Sequence, residues 1–445
     1  MGKPPEHLSP SRLIALRTVS GVWKDGAYAN IALNRELNKS RLPEIERRFV
    51  TEMVYGAVRA GLVLDRLLAR FTVRPPAKIP AVILYILRLG LYQMFFLDKI
   101  PVAAVCNEAV KQARKFGHEG TAKFVNGILR AAARWKDSAG LEAEPELAEA
   151  LVRRHPDWLF AHWTRQIGEE GARAICLINN LPAPVCLRVN TLKTNAAALG
   201  EILRAEGVDT TPSLWCPEGL VAERVPPLAA LDSFRRGLYQ AQDESSMLVA
   251  PYLNVRPGQT VLDLCAAPGG KTVHIAQLMQ NKGEIIASDI YEHKLALINE
   301  NAQRMGIAII KTVRRDASAV NPEWFLAADR VLVDAPCSGL GVLRRRPDLR
   351  WRRQETDLKK FPPLQAAILR TAARYVRPGG KLLYSTCTTE PAENFALVKN
   401  FLAENDCFEP VKIRHPREPA TLDCLQLWPH IDKTDGFFIC VLRRK

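Results

Sequence analysis

No two cysteines in this 445-residue chain stand in a CxxC arrangement. The ten present, at 106, 176, 186, 216, 265, 337, 387, 407, 424 and 440, are scattered along its length. That scatter argues against a structural zinc site and a disulfide framework, and it points to a reducing compartment. No apolar segment follows the first residues, MGKPPEHLSP, so a secretory signal is not expected. A long uncharged apolar run is missing too. The nearest, IPAVILYILRLGLYQMFFL (79–97), contains Pro80, Arg88 and Gln93. A mid-span arginine costs about 2.5–3.5 kcal/mol in lipid, so a buried bundle helix is the better reading. Internal repeats and low-complexity stretches are also absent.

What is plentiful is positive charge. Hydrophobic content of 47% with 24% charged residues is ordinary for a globular chain, but the net charge of +15 is not. Residues 1–140 hold 23 Lys and Arg against 11 Asp and Glu, so this third supplies +12. Such an excess suits a polyanionic partner, most simply nucleic acid, beside the plainer alternative of a soluble basic protein.

The length allows two or three domains. Residues 1–138 read as helical, with SRLIALRTVSGVW, LPEIERRFVTEMVYGAVRAGLVLDRLLARF and VAAVCNEAVKQARKF repeating apolar residues at three- and four-residue spacing. Breaks fall at Pro43, Pro75-Pro76 and Gly117, and the polar stretch KDSAGLEAEPE (136–146) marks a boundary. Residues 147–240 combine helical HPDWLFAHWTRQIG, a strand and turn in PVCLRVNTLKTN, and helical AAALGEILRAEGVD, which predicts a small α+β module. Residues 241–445 alternate strands and helices. Strands are expected at 260–264, 284–289, 309–313, 330–335, 381–386 and 437–442, giving an open, largely parallel α/β sheet.

The first of these strands runs into a glycine turn, VLDLCAAPGGKT (261–272). Its ending resembles a phosphate-binding loop, but that loop needs glycine where Cys265 stands, and Pro268 stiffens the middle. The dinucleotide glycine pattern fails as well, so an ATPase reading falls. Gly269 and Gly270 still leave room for close approach of a ligand. Four consecutive strands deliver Asp263 or its turn, Asp289, Asp316 just after the third, and Asp334 to one edge of the sheet, where ligands of open α/β sheets bind. Any one alone reads more readily as a helix N-cap. As a series they suit a ligand with ribose hydroxyls, an amino group and a sulfonium charge, which describes S-adenosylmethionine.

DAPCSG (334–339) and YSTC (384–387) close the next two strands, so Cys337 and Cys387 are expected to project toward the same pocket. A lone cysteine there would be structural. Two offer a chemistry: carbon 5 of cytosine attacks a sulfonium methyl poorly until a thiolate adds at carbon 6. Asp334 is placed to hydrogen-bond or protonate ring nitrogen 3. After these turns RRRPDLRWRR (344–353) packs six arginines into ten residues. Arg344, Arg345, Arg346 and Arg350 could grip phosphates and Trp351 could stack on an extruded base, against the alternative of a solvated charged loop.

CAAPGGKT, DAPCSG and YSTC in this order resemble the Sun (RsmB) family of RNA cytosine-C5 methyltransferases. The likeness continues into FRRGLYQAQDESS (234–246), LGVLRRRPDLRWRR (340–353) and DGFFICVLRRK (435–445). PVAAVCNEAV (101–110) and FVNGILR (124–130) resemble the antiterminator NusB. The resemblance implies an all-α NusB-like bundle over 1–138, a connecting module over 147–240, and a Rossmann-like S-adenosylmethionine methyltransferase fold over 241–445. It further implies that Cys265, Ala266, Ala267, Pro268, Gly269, Gly270 and Lys271, with Asp289, Asp316 and Asp334, bind the methyl donor. Cys387 would be the nucleophile, Cys337 would assist release, and Lys271 and Asp334 would lie near the reacting base. The implied substrate is 16S ribosomal RNA, with another RNA such as transfer RNA, or a non-catalytic antitermination role, as alternatives. No metal, no membrane, a monomer and a cytoplasmic location complete the expectation. Two positions depart from the family pattern: Thr388 stands where serine is usual, and Glu244 where alanine is.

Overall fold

The computed structural model describes residues 8–138, 142–223 and 225–445. Residues 1–7, and 139–141 within the expected boundary at 136–146, lie outside the described residues. The chain divides into two compact units, 1–181 with 343–354, and 182–342 with 355–445.

The first unit is helical. Its core is built by Pro10–Trp23, Glu44–Ala60, Ala81–Phe96 and Glu119–Asp137, among other helices. Pro43 precedes one helix start, Pro76 opens a short 3-10 turn, and Gly117 ends Val102–Phe116, each at an expected break. Helix Ala81–Phe96 is buried nearly all round, as its apolar sequence requires. Its Arg88 is reconciled with burial by a two-pronged pair: Nε and Nη2 donate to the Asp65 carboxylate at 2.7 and 2.6 Å. No described helix is long and apolar enough to cross a membrane.

In the second unit an eight-stranded sheet dominates. We number its strands β1 (Thr260–Asp263), β2 (Glu284–Asp289), β3 (Ile310–Arg314), β4 (Ala328–Asp334), β5 (Val376–Thr386), β6 (Phe408–Pro410), β7 (Cys424–Leu427) and β8 (Phe437–Arg444). The order is β6-β8-β5-β4-β1-β2-β3, with β7 pairing to β8. Strands β1 to β5 are mutually parallel where they pair, whereas β8 runs antiparallel to β5. Alternation sorts the side chains into two layers. Val261, Leu332, Leu383 and Ile439 pack with Val273 and Met305, while Leu262, Val331, Leu382 and Phe438 pack with Leu369 and Phe401 on the opposite face. Strands β6 and β7 carry no expectation from the sequence.

A smaller antiparallel sheet, from Val185–Val189, Thr210–Pro212, Gly219–Ala222 and Tyr239–Ala241, precedes the large one. Helix Ala196–Ala205 buries Leu199 and Leu203 against it. Side chains join this module to helix Glu292–Met305 of the large sheet in both directions: Asn190 Nδ2 donates to the Met305 carbonyl at 2.9 Å, and Arg304 Nη1 to that of Tyr239 at 2.9 Å.

Candidate active site

The strand order reverses at β1, whose neighbours are β2 on one side and β4 on the other. A crevice therefore opens beyond the carboxyl ends of β1 and β4, the place where open α/β sheets bind ligands. The glycine turn leaves β1 there, with a cis bond at Ala267–Pro268 and Gly269 at φ +96°, a conformation that disfavours any side chain. A Cβ at Gly270 would meet nothing closer than Gln242 at 3.8 Å, so the backbone is open to a ligand.

Of the four aspartates, Asp263 is buried. Thr272 Oγ1 donates to its Oδ2 at 2.7 Å and its Oδ1 has no partner. Burial pushes its pKa up to about 7. Asp289 is buried at the end of β2 and accepts from the Tyr291 amide at 3.1 Å. Asp316, after β3, is exposed and turns onto Ser318, whose hydroxyl and amide hold its carboxyl below the usual range. Asp334 accepts from Lys271 Nζ at 2.6 Å and from Ser385 Oγ at 2.8 Å. An orphaned acceptor, an open glycine backbone and an acidic rim fit a cationic adenosine donor.

Cys337 and Cys387 meet, their Sγ atoms 3.2 Å apart. The shared hydrogen bond and burial push the Cys337 thiol well above its ordinary pKa, so it carries its proton at neutral pH. Thr388, the departure from serine, still uses its hydroxyl, which lies 2.7 Å from Ser338 Oγ. Glu244 is buried and accepts from Ser213 Oγ at 2.5 Å, a scaffold contact.

Several neighbours were not singled out in the sequence. Ser385 and Thr272 sit in the motifs themselves and were legible by proximity. Arg188, from the small module, donates through Nη1 to the Gly270 carbonyl at 2.8 Å and bonds Gln242, although it lies 82 positions from the turn. Burial lowers its pKa to about 9.

The arginine loop departs from expectation. Arg350 is fully buried in the helical unit, where Nη1 donates to the Arg154 carbonyl at 2.9 Å and Asn180 Oδ1 at 2.8 Å, and Nη2 to the Asn179 carbonyl at 3.0 Å. Trp351 Nε1 donates to the Val58 carbonyl at 2.8 Å. Its ring lies over Gly61, where a Cβ would come within 2.2 Å. Both side chains therefore anchor the loop; Arg350, fully buried, is withdrawn as an RNA contact, while Trp351 stays half-buried. Arg346 is exposed; Arg344 and Arg345 are half-buried.

A parallel sheet that reverses at β1 and carries one antiparallel strand, β8, beside β5 is the layout of α/β methyltransferases, and this unit is of that class. The models of known families then sharpen it. Residues 250–443 match 16S rRNA methyltransferase RsmB/F, residues 9–134 the NusB family, and residues 155–228 the RsmF/B-like ferredoxin-like domain. A probable ribosomal RNA small subunit methyltransferase B from Bacillus subtilis (strain 168) is 39% identical over 98% of each chain. One from Synechocystis is 36% identical over 98% of this chain and 99% of its own. The solved structure of NSun6 from Pyrococcus horikoshii with SFG superposes at TM-score 0.58 with 27% identity, covering 65% of this chain and 98% of that one. The chain belongs to the RsmB/F family of 16S rRNA methyltransferases.

Proposed function

We propose that this protein methylates carbon 5 of a cytosine in 16S ribosomal RNA, using S-adenosylmethionine and a covalent cysteine–cytosine intermediate. The observation that carries the reading is the pair of thiols at 3.2 Å, beside the Lys271–Asp334 pair, at the ends of adjacent strands β4 and β5. The turn from Cys265 to Lys271, with Asp289, Asp316 and Asp334, would hold the donor, which supplies a sulfonium methyl when bound. Asp289 is suited to the ribose hydroxyls.

Cys387, its thiol proton given up to water, adds through Sγ to carbon 6 of the base, and the C5=C6 electron pair moves toward carbon 5 and ring nitrogen 3. Asp334, with Lys271 Nζ against its Oδ2, holds the proton at nitrogen 3 that stabilises this charge. After transfer, the carbon-5 proton leaves to water and its bonding pair closes the C5=C6 double bond. The S–C6 pair returns to Cys387, which takes the proton of Cys337. A non-catalytic RNA-binding role would leave these facing thiols without a use.

The basic helical region, 1–138, positions RNA through phosphates, with 147–240 connecting it to the catalytic region, 241–445. Arg344, Arg345 and Arg346 belong with the phosphate contacts. Ribosomal RNA as substrate entails a cytoplasmic location, and a monomer suffices. The test is a pair of variants on RNA containing the target cytosine. Cys387→Ala is expected to abolish methylation and form no adduct, whereas Cys337→Ala accumulates a protein–RNA adduct that survives denaturation. Normal methylation by Cys387→Ala would remove it as nucleophile.

A further inference from the structure

Glu393 is a buried carboxyl that the proposed chemistry leaves unused. It lies six residues after Cys387, at the end of the short turn Pro391–Glu393, and has no solvent exposure. Its Oε2 accepts from the Ser338 amide at 2.9 Å and from Gln365 Nε2 at 2.7 Å. Gln365, on helix Phe361–Tyr375, also donates Nε2 to the Pro336 carbonyl at 3.0 Å. The residues on both sides of Cys337 are thus held by one two-residue clamp. The same segment grips the other thiol's loop. Tyr384 OH donates to the Glu393 carbonyl at 2.8 Å, and Asn394 Nδ2 to that of Thr388 at 3.0 Å. Ser338 and Thr388 close the circuit through their hydroxyls.

A merely structural anchor does not need a carboxyl here, since burying one costs more than burying an amide. Burial accordingly raises its pKa, and Oε1 is left without a partner. Its Oε2 accepts two N–H groups at once, the Ser338 amide and Gln365 Nε2, and a carboxylate oxygen holds them more strongly than an amide oxygen would.

We propose that Glu393 is a positioning residue for the release step, clamping the Cys337 turn so that its thiol stands where it can return a proton to the departing Cys387 sulfur. The inference rests on the roles given above to Cys337 and Cys387. A misplaced proton donor slows the step it serves and spares the steps before it.

The experiment compares wild type, Glu393→Ala and Glu393→Gln with target RNA and S-adenosylmethionine. It measures single-turnover methylation, donor KM, and the RNA adduct that survives denaturation. For Glu393→Ala, methyl transfer is expected within about threefold of wild type and release about tenfold slower or more, with adduct accumulating as in Cys337→Ala. Donor KM stays unchanged. Glu393→Gln keeps one acceptor oxygen and falls between the two. The inference is overturned if adduct remains at the wild-type level in the folded variants, or if transfer and release decline together. Should the alanine protein fail to fold, the glutamine variant decides by the same criteria. If wild type methylates no cytosine, or Cys387→Ala still forms adduct, the functional reading itself has failed, a pattern separate from either Glu393 outcome.

Discussion

The catalytic crevice and the arginine loop both bury charge, but they satisfy it with different partners. At the crevice Lys271 faces Asp334, with side chains 14% and 29% exposed, so a cation and an anion share one hydrogen bond at the edge of solvent. In the loop, Arg350 faces three backbone carbonyls and one amide oxygen, and solvent reaches none of it. Neutral acceptors fix a guanidinium in place without giving it a charged partner. A charged partner at the edge of solvent can instead turn to a ligand when one arrives. The first arrangement suits architecture and the second suits chemistry.

Removing a member of the crevice pair is expected to cost the most. Lys271→Ala should lower methylation by about 100-fold or more while the thermal midpoint stays close to that of wild type. Methyl incorporation from labelled donor reads the first quantity and calorimetry the second. Activity within a few fold of wild type would make Lys271 a helix-start residue, and the contrast with Arg350 would collapse.

The loop should respond the other way. Arg350→Met leaves buried acceptors unpaired and is expected to cost about 3–5 kcal/mol of stability in urea unfolding, with RNA affinity per folded molecule unchanged. Arg346→Ala, at an exposed position, is its complement: stability is unchanged, RNA binding weakens, and the salt dependence of binding becomes shallower by about one counterion. A stable Arg350→Met protein that binds RNA poorly would return Arg350 to the RNA surface.

These contrasts explain what was legible in the chain and what was not. Strands β1, β2, β4 and β5 announce themselves because each is an apolar run that ends at an acid or a cysteine, and the run and its turn are contiguous. The donor turn and both thiols could be found for the same reason. Strand β7 could not, since Cys424–Leu427 is short and owes its existence to pairing with β8. Glu393 and Gln365 are 28 positions apart, and nothing local to PAEN marks its glutamate as a clamp. Arg350 was misread because a string of arginines looks the same whether its partners are phosphates or the carbonyls of Arg154 and Asn179. The place of Trp351 was equally hidden, for it depends on Gly61, a glycine distant in sequence.

Asp263 supplies the finest test of the crevice as a place where protons are held. It ends β1 fully buried, with one oxygen bonded to Thr272 and the other unpartnered. Burial raises its pKa from 3.8 to about 7; the Thr272 hydroxyl opposes the shift, and Asp334 reinforces it. A carboxyl whose folded pKa is raised binds its proton more tightly in the folded state. Its contribution to stability is therefore greatest below pH 3.8, declines as pH rises toward 7, and is flat beyond. Asp263→Asn removes that decline. Relative to wild type, the variant should gain stability steadily across this window, as urea midpoints measured along it would show. Parallel profiles for the two proteins would mean that Asp263 is ionised in the fold, held by the neighbouring Lys271 charge, and that the crevice stores one proton fewer.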